Sequence, residues 1–432
     1  MERPHTAAAP RAIVRAASED DVLQAVTYAR THGLRLSVRS GGHNWSGAPL
    51  RDDALLLDLS GLDECTVHPA TGTAPATATV GPAVTGQDLV AALTPQHLAF
   101  PVGHCPTVAV GGFLLSGGLG WNSRAWGASC ADVLEIRAVT AEGRTVDCSE
   151  TRHPDLFWAA RAPDRASPPS SPASGSPCTR TPGRSWRPGA PCPGGHRAGH
   201  AVGRAARAPA PAVRRNGLRA DGRRPGDALG PAGPRITVAA TAFAASPAQA
   251  RQVLEPFADC PFDDLAVAGQ PPAPTSYAAL HEGAASVWPP GHRYAADTLW
   301  SPDSYRTQLT RIADAVARAP SPASLVLAPV QPVSEDPAHL RTMAFAPLGT
   351  SYLVCYALWD DPAEDAAQDR WLREAMTAVD PQGDGRHYIA EADLEAGRER
   401  ARHSYPPATW DRLRDVRDRW DPHHLLHSYL TP

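Results

Sequence analysis

Two short runs set a nucleophilic side chain beside glycine turns. One is Arg39-Ser40-Gly41-Gly42-His43. The other is Gly103-His104-Cys105-Pro106-Thr107-Val108-Ala109-Val110-Gly111-Gly112, continuing through Ser116-Gly117-Gly118-Leu119-Gly120-Trp121. Glycines let backbone N–H groups approach a phosphate closely and accept positive φ without strain. His43 in one loop and Cys105 at the mouth of the other point to a diphosphate-bearing cofactor gripped at two places. Neither loop places GxGxxG between strand and helix or carries GK[ST], so Rossmann and P-loop readings are weak. Taken singly, a histidine after two glycines is ordinarily a turn residue and a cysteine in an apolar run a small buried hydrophobe. The pairing of the two loops makes them site candidates. The other cysteines, among them Cys65, Cys130, Cys148 and Cys355, show no CxxC or other metal spacing, so no metal site is expected.

The elements that must position these loops alternate. Ala12 to Arg15 reads as a strand; Ser18 then caps a helix with acids in its first turn. Val22, Val26 and Ala29 recur at helical spacing, and Gly33 ends the helix. Leu34 to Val38 alternates as a strand that delivers the chain into the first glycine loop. Leu55 to Leu59 and Thr77 to Gly81 read as further strands, and a helix is expected from about Gln87 to Leu93. Beyond Arg235, Ile236 to Phe243 alternates as one strand, and Ser246-Pro247 opens a helix with Ala250, Val253 and Leu254 inward. Tyr294 to Trp300, Leu325 to Leu327 and Ser351 to Trp359 read as strands, and Ala363 to about Val379 as a helix. The class is α+β.

With these motifs in order, the chain resembles the covalent-flavin oxidases of the berberine bridge enzyme type, within the vanillyl-alcohol-oxidase (PCMH-type) class of FAD domains. Further motifs carry the likeness: Val133-Leu134-Glu135-Ile136 into Val139-Thr140-Ala141-Glu142-Gly143, His153-Pro154-Asp155-Leu156-Phe157-Trp158-Ala159-Ala160-Arg161, and Trp420-Asp421-Pro422-His423-His424-Leu425-Leu426. It is close over residues 10–161 and looser over 235–432. The resemblance implies FAD joined twice, His43 to the flavin 8α-methyl carbon and Cys105 to flavin C6. Arg39, Ser40, Gly41, Gly42, Val108, Gly111, Gly112, Gly117, Gly118, Gly120 and Trp121 would then line the cofactor. It also implies a two-part FAD domain and a substrate domain made of an antiparallel sheet with helices on one face.

The family often carries Y-x-N-Y-x-D near its C-terminus, where a tyrosine acts on the substrate hydroxyl. Here the run is Tyr388-Ile389-Ala390-Glu391-Ala392-Asp393. Glu391 stands in the second tyrosine's place and is the first candidate for the base, since burial can raise a carboxylate toward neutrality. Tyr388 is the second; a salt-bridged strand-end role for Glu391 is the plain alternative. The implied reaction takes a proton from a hydroxyl-bearing sugar or secondary metabolite, hydride passing to flavin and its electrons to dioxygen.

Composition bounds the rest. At 432 residues the chain is long enough for two domains. Its basic charge is all arginine, and a net charge of −4 argues against a nucleic-acid partner. The N-terminal residues show no apolar signal region and no later stretch reaches the ~20 apolar residues of a membrane span. A cytoplasmic protein acting on a small molecule and dioxygen, away from membranes, is the expectation; its oligomeric state is not readable.

Residues 162–234 break with all this. They hold fourteen prolines and twelve arginines against three acids, with no Phe, Tyr, Ile or Met. A disordered basic linker or a nucleic-acid tether would fit, yet a shifted reading frame fits better. Taking the third base of each codon with the first two of the next, Arg161 to Ser167 permits Gly-Ala-Gly-Pro-Gly-Phe, and continuing from Pro169 through Ser170 to Ser176 permits Val-Val-Thr-Arg-Phe-Arg-Leu. Joined to Arg161 they give R-G-A-G-P-G-F-x-x-V-V-T-R-F-R-L, where the family has R-G-G-G-x-x-F-G-V-V-T. One frame error after Arg161 and a second just before Ile236 are expected. A proline-rich segment lacks donors for a ladder and side chains for a core, so the alternative function is a catalytically impaired or cofactor-free product of a damaged oxidase gene. The expected domains are 1–161 (FAD-binding), 162–234 (aberrant), 235–385 (substrate-binding) and 386–432 (returning to the FAD domain).

Overall fold

The computed structural model describes residues 8–121, 123–161, 173–177, 198–202, 218–219, 235–244, 246–255, 270–330, 341–345, 349–397 and 399–428. Most of the segment 162–234, and with it most of the expectation of disorder or a shifted frame, lies outside them. The chain divides into two compact units. The first comprises Thr6–Gly183, Ser334–Ala346 and Ser404–Pro432; the second comprises Met1–His5, Arg184–Val333 and Pro347–His403.

The first unit contains β1 (Ala12–Arg15), β2 (Leu36–Arg39), β3 (Leu55–Asp58), β4 (Cys65–His68), β5 (Thr77–Val80), β6 (Ile136–Val139), β7 (Thr145–Cys148) and β8 (Ala173–Pro177). Its helices are α1 (Glu19–Thr31), α2 (Gly86–Leu93), α3 (Val110–Leu115), α4 (Ser123–Trp126) and α5 (Pro154–Ala160). Strands β1–β3–β2 form a parallel sheet. Helix α1 starts where Ser18 Oγ accepts from the Asp21 N–H at 3.2 Å, with three acids in its first turn. Its stripe of Val22, Ala25, Val26 and Ala29 packs on Leu36, Leu55 and Leu57, so the apolar spacing read from the sequence is the packing face.

Strands β4, β5 and β8 form an antiparallel sheet with β8 at its edge, and β6–β7 is a hairpin. β8 lies within the segment expected to carry no ladder. Its pairing is irregular, with a register shift at Ala78/Thr79, and it reaches Pro177, which has no N–H to give. The ladder is tolerated there because an edge strand needs donors toward one neighbour only.

The second unit contains β9 (Ala198–Val202), β10 (Leu218–Arg219), β11 (Arg235–Ile236), β12 (Ala239–Phe243), β13 (Gln270–Thr275), β14 (Arg293–Ser301), β15 (Leu325–Leu327) and β16 (Ser351–Trp359). Its helices are α6 (Pro247–Leu254), α7 (Tyr277–Ala285), α8 (Tyr305–Ala317), α9 (Asp365–Val379) and α10 (Glu399–His403). One antiparallel sheet runs β12–β9–β13 and a larger one β11–β10–β15–β16–β14. The strand expected over Ile236 to Phe243 is therefore two strands in different sheets. Ala239 to Thr241 and Ala242 are all buried, so small residues, not a two-residue alternation, shape β12.

Strand alternation gives the larger sheet two chemically different faces. Leu299, Leu353, Cys355, Ala357 and Trp359 join Ile312 and Val316 of α8 and Trp371, Leu372 and Met376 of α9 in one apolar core. The adjacent positions, Thr298 and Trp300 on β14 and Tyr352, Val354 and Tyr356 on β16, belong to the opposite face.

The chain returns to the first unit through α11 (Pro407–Trp420). Tyr405, Leu413 and Val416 bury Trp158 of α5, each such side chain contributing ~1.5–3 kcal/mol. Asp155 accepts from Arg419 Nη1 at 2.6 Å and Trp420 Nε1 at 3.1 Å. The return begins at Ser404, later than the expected residue 386. Residues 386–403 stay with the second unit because Arg386 exchanges backbone hydrogen bonds with Trp300 on the edge of β14. Among the described residues no helix is long and apolar enough to cross a membrane.

Candidate cofactor and proton-transfer sites

The first glycine loop leaves the C-terminal end of β2, and its conformation is fixed from three sides. Arg39 pairs with Asp58 of β3 at 2.9 Å, so the arginine braces the loop from within the sheet. Ser40 Oγ accepts the Gly112 N–H at 3.2 Å. His43 Nε2 lies 2.7 Å from Thr107 Oγ1. The last two contacts fasten the first loop to the second, and Thr107 is two residues past Cys105. Gly41 is obligatory for this junction, because a Cβ there would sit 2.7 Å from the Ala109 Cβ.

The second loop leads into α3, whose first N–H groups are taken by protein acceptors: Val110 by Val84 O, Gly111 by Pro82 O, and Gly112 by Ser40. The turn after α3 uses left-handed Gly117 and Gly118, with φ of 94° and 75°. Ser129 Oγ donates to Pro101 O, and the Trp121 N–H donates to Val102 O at 2.9 Å. Trp121 is buried, with its ring edge-on to His104 at 4.9 Å. Gly120 presses on Val102, where a Cβ would come within 2.2 Å of the carbonyl oxygen. Val108 packs beside Gly103 in the same way.

A distant segment seals this turn. Phe345 lies where a Cβ on Gly117 would fall 2.6 Å away, and its N–H donates to Arg161 O at 3.1 Å. Arg161 is buried; it donates to Thr342 O and lies 4.0 Å over the Phe157 ring. Met343 meets Cys130 at 3.6 Å between sulfurs. Nothing local in the sequence pairs residues 341–345 with the glycine turn, and that contact was not anticipated.

Burial holds the His43 imidazole below its ordinary range, so it is neutral near pH 7 and keeps a nucleophilic lone pair. Cys105 is partly exposed and in no disulfide, while Cys130, Cys148 and Cys355 are buried. Burial pushes the Cys130 thiol up to about 12 and Asp132, in the same turn, up to about 7. Among the described residues the N–H groups of Gly41, Gly42 and His43 meet no acceptor. Buried Asn44 Nδ2 and Ser116 Oγ likewise lack a partner there. Donors converging beside a neutral imidazole and an accessible thiol suit an anionic cofactor with an electrophilic ring, and FAD fits that description.

The candidate base lies in the second unit. Residues 386–393 run along the edge of β14, gripped by two consecutive residues of that strand. Thr298 Oγ1 accepts the Tyr388 N–H at 2.8 Å, and Asp297 Oδ1 accepts the Asp393 N–H at 3.1 Å. Asp297 is 2% exposed and is neutralised by Arg400. His387 Nδ1 shares a 2.8 Å hydrogen bond with Thr298 O, and burial lowers its proton affinity. The Glu391 N–H donates to Tyr388 O at 2.9 Å, which makes the run a tight turn. Tyr388 is buried; Glu391 is half-buried and accepts from Tyr352 Oη at 3.4 Å. Thr298, Asp297 and Tyr352 carried no sequence signal, since each meets the run from about 36 to 96 residues away in a strand.

Comparison with known proteins follows this geometry. Residues 10–149 match the family described as "FAD binding domain". The segment is 37% identical over 154 residues to the FAD-linked oxidoreductase janO of Penicillium janthinellum, covering 36% of this chain and 33% of that protein. It is 35% identical over 162 residues to berberine bridge enzyme-like 9 of Arabidopsis thaliana, covering 37% and 30%. The matched segment thus spans about a third of these relatives' own length. Among solved structures, a chitooligosaccharide oxidase superposes with a TM-score of 0.76 at 17% identity over 96% of this chain and 90% of its own. A glucooligosaccharide oxidase of Acremonium strictum, whose FAD is described as 6-S-cysteinyl and 8α-N1-histidyl, has a TM-score of 0.75 at 16% identity over 96% and 90%. At that identity the structures show the fold alone. The resemblance to berberine bridge-type FAD-linked oxidases read from the glycine loops stands, as does the α+β class with an antiparallel sheet.

Proposed function

We propose that this chain is a FAD-linked oxidase that acts on a hydroxyl-bearing sugar or secondary metabolite, with FAD joined to both His43 and Cys105 and dioxygen as acceptor. One observation carries it: the His43–Thr107 and Ser40–Gly112 contacts hold both nucleophile-bearing loops together beside unclaimed N–H donors. Bound FAD would supply the two-electron acceptor for the substrate's hydride and pass both electrons to dioxygen, giving peroxide. The residues of the chain do the rest. The loop amides hold the diphosphate, and with Nε2 engaged by Thr107, Nδ1 of neutral His43 is the atom available for a bond to carbon. Glu391 takes the substrate's O–H proton as the adjacent C–H bond gives up its hydride, leaving a carbonyl. Clamping by Thr298 and Asp297 keeps that carboxylate in place, which is where much of a catalytic advantage originates. The names of the relatives, FAD-linked oxidoreductases and oligosaccharide oxidases, support this reading.

The test is direct. Purified protein should be yellow, its visible absorbance should stay with the polypeptide after denaturation, and it should form peroxide with a panel of oligosaccharides. Colourless protein overturns the reading.

A second reading, a catalytically impaired or cofactor-free product of a damaged oxidase gene, is favoured by one contrast. Sequence similarity to curated relatives covers 36–37% of the chain, whereas fold likeness extends over 96%. The proline- and arginine-rich composition begins at residue 162, just past the family match.

A further inference from the structure

We propose that Tyr352 is the positioning residue of Glu391: its phenol orients the carboxylate and holds it in the charged, proton-accepting form. The proposal rests on the assignment of Glu391 as base. Tyr352 stands near the start of β16 and is 2% exposed. Its ring lies 4.3 Å from Trp300, its direct cross-strand partner on β14, and edge-on to Tyr388 at 6.3 Å. Its N–H donates to Tyr305 Oη of α8 at 3.2 Å. The ring therefore has no freedom to swing, and its hydroxyl points to Glu391 Oε2. At 3.4 Å the bond is long, as catalytic hydrogen bonds often are before substrate tightens them.

A donor to a carboxylate favours its charged form, and a base must be charged to work. Burial first, and then the neighbouring Glu391 carboxylate, push the phenol well above its usual range, so Tyr352 remains a donor throughout the working pH range. Tyr388 on the edge segment and Tyr356 on β16 also act on the Tyr352 phenol, each raising it further.

The test is the Glu391 titration itself, read by pH-difference infrared spectroscopy as the carboxyl band lost in Glu391→Gln. Tyr352→Phe keeps the ring and its stacking, and should move that titration up by about one pH unit. Site-specific 3-fluorotyrosine at position 352, a stronger donor with the same ring, should move it down. Opposite shifts from two near-isosteric changes are not produced by a packing role. In flavin-loaded enzyme the acid limb of kcat/KM should follow the same order. A Glu391 titration unmoved by either change overturns the proposal. The infrared reading needs no flavin, so a colourless protein would sink the oxidase reading while leaving this test decisive.

Discussion

Thr107 Oγ1 and His43 Nε2 meet at 2.7 Å across 64 residues of chain. The contact does two jobs: it pins the imidazole ring and it draws the Cys105 loop to the end of β2. Replacing Thr107 with Val keeps the shape and removes the hydroxyl. We expect a stability loss of about 0.5–1.5 kcal/mol and slower attachment of flavin to position 43. Flavin fluorescence of denatured gel bands followed over time checks the second effect.

Single removals at the two proposed attachment points should be distinguishable. His43→Ala and Cys105→Ala should each retain flavin through denaturation by the remaining bond, with different absorbance maxima. The double variant should release all of it to the supernatant.

In the second unit, Asp297→Ala leaves Arg400 facing the interior without its carboxylate. Breaking a buried pair from one side costs about 3–5 kcal/mol, and the Asp393 N–H loses its acceptor as well. Urea unfolding should show that loss. Thr298→Val, which removes only the hydroxyl clamp on Tyr388, should lose much less stability.

Two groups of the first unit pull its pH dependence in opposite directions. Burial, then Arg35, Arg51 and Arg417, hold His427 down to about 4 against an ordinary 6.5. Between those values the unfolded chain binds a proton that the folded chain refuses. Stability is therefore complete above 6.5 and falls as the pH drops toward 4. Asp132, raised by burial to about 7 from 3.8, is the reverse: its contribution is full below 3.8 and is lost as pH rises toward 7. Melting curves should show His427→Gln gaining on the parent near pH 4.5, and Asp132→Asn gaining near pH 8 but not at pH 3.5.

The coding DNA offers the sharpest test of residues 162–234. Read in the shifted frame after codon 161, it should encode the glycine-rich turn and Val-Val-Thr strand, with the original frame resuming before Ile236. A gene repaired at both points should give protein with higher flavin occupancy per chain than the present one. A shifted frame interrupted by stop codons ends the idea.

What could be read from sequence was what neighbouring residues decide. The Ser18 cap, the α1 stripe and the Gly33 stop depend on spacings of three or four residues, and each appears where expected. The glycine loops were legible because residue type alone signals close backbone approach. The break at Thr237 and Val238 was not, because which sheet a strand joins is settled by partners elsewhere. Nor was the allegiance of residues 386–403, which hangs on Trp300, Thr298 and Asp297. Tyr352 is one position within the expected strand Ser351 to Trp359, and its hydroxyl acquires meaning only from a turn 39 residues later.

The contact between β2 and residues 425–427 bears on timing. Leu36 donates to Leu425 O at 2.7 Å and accepts from the His427 N–H at 2.8 Å, and Arg35 reaches Leu426 O across 391 residues. β2 is the edge strand that feeds the His43 loop, and this is its second neighbour. On the ribosome that edge stays bare until residues 425–427, 391 positions further on, have emerged. Closing so long a loop is slow, and an uncovered strand edge is a surface for aggregation. A strand edge left open over that stretch of synthesis invites self-association, so the lateness of Leu425 to His427 sets how long the nascent first unit stays exposed.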